Sequence, residues 1–320
     1  MRMRHNDTTV RRAVAALLLA LLLAGCTGAG TGETPTPAGQ SSETTAAVAG
    51  DAKVEMPHIH GLGFSPDGEQ LLVPAHDGLR IYEEGKWLIP DGPAHDYMGF
   101  TPASDGFYSS GHPHPPSGLV NPFGLVKSTD SGKTLTTLGF SGETDFHFMA
   151  VGYHNHAIYV GNPAPNSRLQ PGIHYSLDDG KTWQQSALQG LTAQPIQMAV
   201  HPTEANLVAV ATEQGVFLST DHGNTFAAVG PTDRVTAVTF HLEGKHLLFG
   251  YQQLFTYDLS AQQVEPVPSP AVAGEDAISY IAVNPAQMDK LAVATFGKHI
   301  HLSQDGGQSW TQIAQEGKGQ

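Results

Sequence analysis

The sequence contains a single cysteine, Cys26. No disulfide can form within the chain, so packing and hydrogen bonds alone must hold the fold. Charged side chains are scarce at 14%, and their balance is acidic, with 16 Lys and Arg against 30 Asp and Glu and a formal charge of −14. Nucleic acid is therefore not an expected partner, because its recognition needs a basic face. Beyond the first dozen residues arginine is limited to Arg80, Arg168 and Arg234. What the chain has instead is 36 Gly and 22 Pro, the profile of many short strands joined by tight turns. Its 320 residues suffice for one large all-β core. Histidine, at 17, is abundant and unevenly placed.

The N-terminus runs through Arg2, Arg4, Arg11 and Arg12, then the apolar stretch Ala13–Ala24, and reaches Leu23-Ala-Gly-Cys26. A basic start, a short apolar segment and small residues at the end make a secretory signal. The ending resembles a bacterial lipobox, which implies cleavage before Cys26 and lipid on its thiol. Residues 1–25 are then the signal peptide. Residues 26–52, poor in large apolar side chains, are the lipidated Cys26 and a flexible tether. The expected location is the cell membrane, lipid-anchored and facing outside the cytoplasm, as a monomer.

A repeat organises the remainder. Ser176-Leu-Asp-Asp-Gly-Lys-Thr-Trp183 returns as Ser219–Phe226 and Ser303–Trp310, and as Ser128–Leu135 with Leu in the aromatic slot. Between these boxes a unit of four short strands recurs every 37–50 residues or so, the spacing of a β-propeller. Six units begin at His58, Ala94, Asp145, Pro195, Arg234 and Ala277. The expected fold is all-β, a six-bladed propeller over residues 53–314 with a tail at 315–320. Within each box the Ser and Asp oxygens suit the capping of turn N–H groups, and the Gly suits an unusual φ. Asp130, Asp178, Asp221 and Asp305 are accordingly structural.

Aligning the inner strands yields three rows. Gly63, Gly99, Ala150, Ala199, Thr239 and Ala282 form a mostly small row, beside the apolar row Leu62, Met98, Met149, Met198, Val238 and Ile281. Two residues earlier stand His60, Asp96, His147, Ile196, Thr236 and Ser279, at the expected mouth of the central channel. Period-two alternation adds His58 and Asp145 to the polar side, while His95 points the other way at the rim. Loops opening on the same face carry His76-Asp77 and the pair His112-Pro-His114. Two long loops, about 110–123 and 162–171, are placed to cover the mouth. Imidazoles and carboxylates converging on one spot suit a divalent transition metal, zinc or copper. The candidate ligands are His58, His60, His95, Asp96, His112, His114, Asp145 and His147.

With its four boxes and inner-strand pattern, the chain resembles the Asp-box (BNR-repeat) propellers, a superfamily that includes sialidases and sortilin-like and photosystem-assembly propellers. The blocks Pro57-His-Ile-His-Gly61, His95–Phe100, Ser110-Gly-His-Pro113, Asn121–Leu125 and Asp145-Phe-His147 resemble exported bacterial lipoproteins labelled glycosyl hydrolases. That resemblance covers roughly residues 53–314 and implies a sialidase-like site, which needs three arginines, a Tyr nucleophile and acidic partners. Arg80, Arg168 and Arg234 are the available arginines, Tyr97 and Tyr280 the available tyrosines. An ordinary glycosidase needs two carboxylates about 5–10 Å apart, for which Asp96 and Asp145 are placed. Three uses of the mouth follow: a metal site, a glycoside hydrolase, or a scaffold that holds an envelope protein or glycan.

Overall fold

The computed structural model describes residues 54–320. The expected signal peptide (1–25), Cys26 and the expected linker (26–52) lie outside the described residues. Among those described there is no helix; all regular structure is strand. Six antiparallel sheets keep their strands in chain order, five with four strands and the last with five. Their innermost strands are Gly63–Phe64, Asp96–Ala103, Met149–Val151, Pro195–Val200, Ala237–Phe240 and Ile278–Val283. Each touches the next, and the sixth touches the first, so the ring is closed. This is the six-bladed propeller that the sequence predicts. The second strands are Leu71–Ala75, Gly106–His112, Ile158–Asn162, Val208–Thr212, His246–Gly250 and Leu291–Thr295.

Each sheet presents apolar side chains on both faces, and these meet between blades. Leu72, Leu79 and Ile81 of blade one pack against Tyr97, Phe100 and Phe107 of blade two. Ala150, Tyr159 and Tyr175 of blade three meet Met198, Val210 and Phe217 of blade four. Each fully buried large side chain contributes about 1.5–3 kcal/mol, so these layers fix how the blades turn about the axis.

The boxes act as staples within this packing. In all four, the Ser hydroxyl donates to Asp Oδ1 and the Gly N–H donates to Ser Oγ. The following Thr or Ser donates its N–H to Oδ1 and its hydroxyl to Oδ2, at 2.6–2.9 Å. The aromatic then reaches the preceding blade: Trp183 packs on Phe140, and Trp310 Nε1 donates to the Pro268 carbonyl.

Residues 315–320, expected as a tail, instead complete the ring. Thr311–Gln315 and Lys318–Gly319 form a hairpin, and Glu55 bridges to Lys318. Met56 N–H donates to Gly317 O, and Gly319 N–H to Val54 O. Trp87 of blade one donates Nε1–H to Ile313 O of blade six at 2.8 Å. The two ends of the propeller are thus latched by hydrogen bonds, not by a covalent link.

Three inner strands carry register shifts, at Pro195/Gln197 in blade four, at Ile278/Tyr280 in blade six and in blade two. Blade two slips between Met98 and Thr101, where Gly99 takes φ +54 and a Cβ would lie 2.3 Å from Phe146 O. Gly99 to Pro102 of blade two line the central shaft and Met98 does not, while Leu62, Met149, Met198, Val238 and Ile281 of the same apolar row do. The shaft encloses about 250 Å³.

Candidate functional site

The histidine-rich side of the shaft's mouth is built from the entrances of blades one to three. His60 enters just ahead of the first inner strand, where its N–H donates to Pro74 O. Asp96 begins the inner strand of blade two and pairs across it with His112. Close approach of the second strand requires Gly111, whose added Cβ would lie 2.1 Å from Asp96 O. His76 comes from the loop that follows Leu71–Ala75.

These elements converge on one carboxylate. His76 Nδ1 lies 2.8 Å from Asp96 Oδ2, and His60 Nε2 lies 3.5 Å from Asp96 Oδ1. One ligand atom from each of the three residues falls within 4.8 Å of the others. His60 Nε2 and Asp96 Oδ1 are both buried and have no hydrogen-bond partner. A buried polar atom without a partner costs about 1–3 kcal/mol, and here two of them face each other. Donor atoms about 2.0–2.1 Å from a tetrahedral zinc lie about 3.3–3.4 Å apart, so the 3.5 Å gap is of a size to hold such an ion. The rings of His58, His60 and His76 form a triangle with centroids 5.9–6.1 Å apart. Burial holds the His60 imidazole below its usual pKa, against the pull of Asp96, so it stays neutral and able to ligate.

A second carboxylate stands beside the first. His147 Nε2 lies 2.6 Å and His112 Nε2 3.1 Å from Asp145 Oδ2. The other oxygen, Asp145 Oδ1, is buried without a partner. Loop 110–123 brings His112 there, its base closed by the Phe123 N–H donating to Gly111 O.

Two candidate ligands lie apart from both groups. His95 is 3% exposed and sits edge-on to Tyr97 and Phe123. Its Nδ1 accepts the His114 N–H at 3.0 Å, so it anchors the loop. Burial and the nearby His114 lower its pKa. His114 is exposed and joins neither carboxylate among the described contacts. Conversely, His76, whose loop is expected on the same face, lies against Asp96 and is omitted from the candidate set. Asn121 is a further participant: its Oδ1 accepts from His112 Nδ1 at 2.7 Å. In the sequence it opens the block Asn121–Leu125 and lies within the long loop 110–123, but nothing there marks it as a partner of His112.

The elements of a sialidase-like site are dispersed. Arg80 is buried, pairing with Asp77 and donating to Glu55 O. Arg168 lies over the Phe140 ring and donates to Gly180 O. Arg234 pairs with Glu213 at 3.0 Å. Tyr97 is buried against Phe107 and points its hydroxyl at Gly132 O. Tyr280 lines the shaft, and burial pushes its pKa up to about 12. Loop 162–171 does not line the shaft; Asn162 ties it down through Ala164 O, Leu169 O and Gln170 O.

No family model matches the chain, and no curated protein matches it in sequence. Among solved structures it is similar to a GH74 xyloglucanase from Xanthomonas campestris, with TM-score 0.51 and 19% identity, over 82% of this chain and 46% of that one. A GH74 enzyme from Niastella koreensis aligns with TM-score 0.54 and 16% identity over the same shares. The chain thus spans less than half the length of either enzyme, and at these identities the likeness is one of fold.

Proposed function

We propose that this protein is a lipid-anchored envelope propeller whose channel mouth binds a divalent transition metal, zinc or copper. The observation that carries this reading is the His60–His76–Asp96 group, with its two buried, unpartnered ligand atoms 3.5 Å apart. Two imidazoles and a carboxylate leave a fourth position open in a tetrahedral ion, as in sites that bind or activate a further ligand. Borderline ions such as zinc and copper take this mixture of nitrogen and oxygen donors. Asp96 supplies charge compensation, and the low pKa of His60 keeps one ligand free of protons near neutrality.

Elemental analysis of the purified full chain tests the reading. The wild type should retain zinc or copper through dialysis, and the double substitution His60→Ala with His76→Ala should lose it. A wild type that retains no metal and takes none up on titration would falsify the proposal. A glycosidase use of the same mouth would draw on Asp96 and Asp145; sugar release from a panel of fluorogenic glycosides, abolished by Asp96→Asn, would put that use in its place. The anchor is checked separately: Cys26→Ser should move the protein from the membrane fraction to the soluble one.

A further inference from the structure

The central shaft differs in chemistry from its mouth. Leu62, Phe100, Met149, Met198, Val238 and Ile281 give it one apolar side chain from each blade. Among the described residues that line it there is no Lys, Arg, Asp or Glu. Two polar side chains of the lining are turned onto backbone. Gln197 Nε2 donates to Ser279 O at 3.1 Å, and its Oε1 accepts the Val238 N–H at 2.7 Å. The Thr236 hydroxyl donates to Ile278 O at 2.6 Å.

That chemistry selects a class of occupant. A charged molecule would give up its hydration with no counter-charge to meet it. A sugar would bring several hydroxyls to a wall with few free partners, and most would go unpaired. An uncharged, mainly apolar body gains from burial and gives up little. A dry apolar cavity of about 150 Å³ admits benzene. The shaft's space of about 250 Å³ therefore suits a body of two fused rings.

The entrance adds a polar end. Phe296 lines the shaft yet is 62% exposed. It follows the second strand of blade six, while His147 precedes the inner strand of blade three. A bare ring and an imidazole thus stand on opposite sides of a six-bladed ring. His147 is exposed and also lines the shaft. An aromatic body passing into the shaft meets Phe296, and a single hydroxyl on it finds His147 at the entrance.

We propose that the shaft binds an uncharged two-ring phenol, a molecule of naphthol size, with its rings against Phe296 and the apolar row and its hydroxyl toward His147. This site draws on no residue of the His60–His76–Asp96 group and needs no metal.

The test is 2-naphthol titrated calorimetrically into the purified full chain after dialysis against a chelator. One molecule should bind per chain, while 2-naphthalenesulfonate and xylose, the charged and sugar controls, should not bind. Thr239 is half-buried and lines the shaft, so Thr239→Phe adds bulk to the open space and should abolish binding. Phe296→Ala alters an exposed ring and should weaken binding by about 2–10-fold. Thermal melts show whether each variant folds. If Thr239→Phe does not fold, the decision passes to Phe296→Ala, where unchanged affinity overturns the proposal. Failure of 2-naphthol to bind, equal binding of the sulfonate or xylose, or full binding to a folded Thr239→Phe chain also overturns it. Because the chain is stripped of metal, none of these results bears on the metal reading of the mouth.

Discussion

Two sets of aspartates in this molecule behave in opposite ways. Those of the boxes lie near the surface, yet both oxygens are occupied by hydroxyl and amide donors of the turn. The Thr182 N–H and hydroxyl hold Asp178 down to about 2. Those of the mouth have side chains only 10% and 14% exposed, yet each keeps a buried oxygen with no partner. Hydrogen-bond completion separates the two roles better than burial does. A carboxylate whose donors are all supplied by its own turn is building the turn, while those beside the imidazoles of the mouth are left with an oxygen that no turn completes.

Substitutions should divide along the same line. The largest effect is expected from Asp96→Asn, which keeps the shape, removes the charge and abolishes metal retention at the first group. Its metal-free form should melt no lower than the wild type, because a buried carboxylate with an open oxygen is costly to keep. Ser176→Ala should do the reverse. It leaves the Gly180 N–H unpaired in a buried turn, at a cost of about 1–3 kcal/mol in urea unfolding, with metal stoichiometry unchanged. A box substitution that strips metal, or a mouth substitution that only destabilises, would break the distinction.

Acid should sharpen it. His60, His95, His174 and His301 are held below their usual 6.5 by burial, so their unfolded forms take up protons first. Metal-free stability should therefore begin to fall as the pH drops below 6.5 and continue down to the folded values. Asp178 and Asp221 are depressed by Thr182 and Thr225, so their contribution is present above the ordinary 3.8 and is lost below it, for Asp178 down to about 2. Unfolding curves of the metal-free protein measured across pH should show these two declines. A smaller effect is expected at the ring closure, where Trp87→Phe removes the bond to Ile313 O at a cost of about 1 kcal/mol.

Much of the architecture was legible because it repeats. Four copies of the box set the register, and the register fixed six blades and placed His60, Asp96 and His147 at the mouth. Three features lay beyond that reach. The bulge at Gly99 depends on the Phe146 carbonyl of the next blade, which no local pattern records. The C-terminal hairpin looks like a polar tail because its pairing partner, Val54–Met56, lies at the other end of the domain. His76 and Asn121 were placed on loops of the mouth face, but alternation carries no information about the direction of loop side chains. His95 shows the converse: its odd offset from Asp96 already pointed it away, and the structure packs it among Tyr97 and Phe123.

The central claim is tested most directly by crystals of the chain grown with zinc and measured across the zinc absorption edge. An anomalous peak within bonding distance of His60 Nε2 and Asp96 Oδ1 is the predicted result. A map with no peak at the mouth, or with its peaks only at the box aspartates, would contradict it.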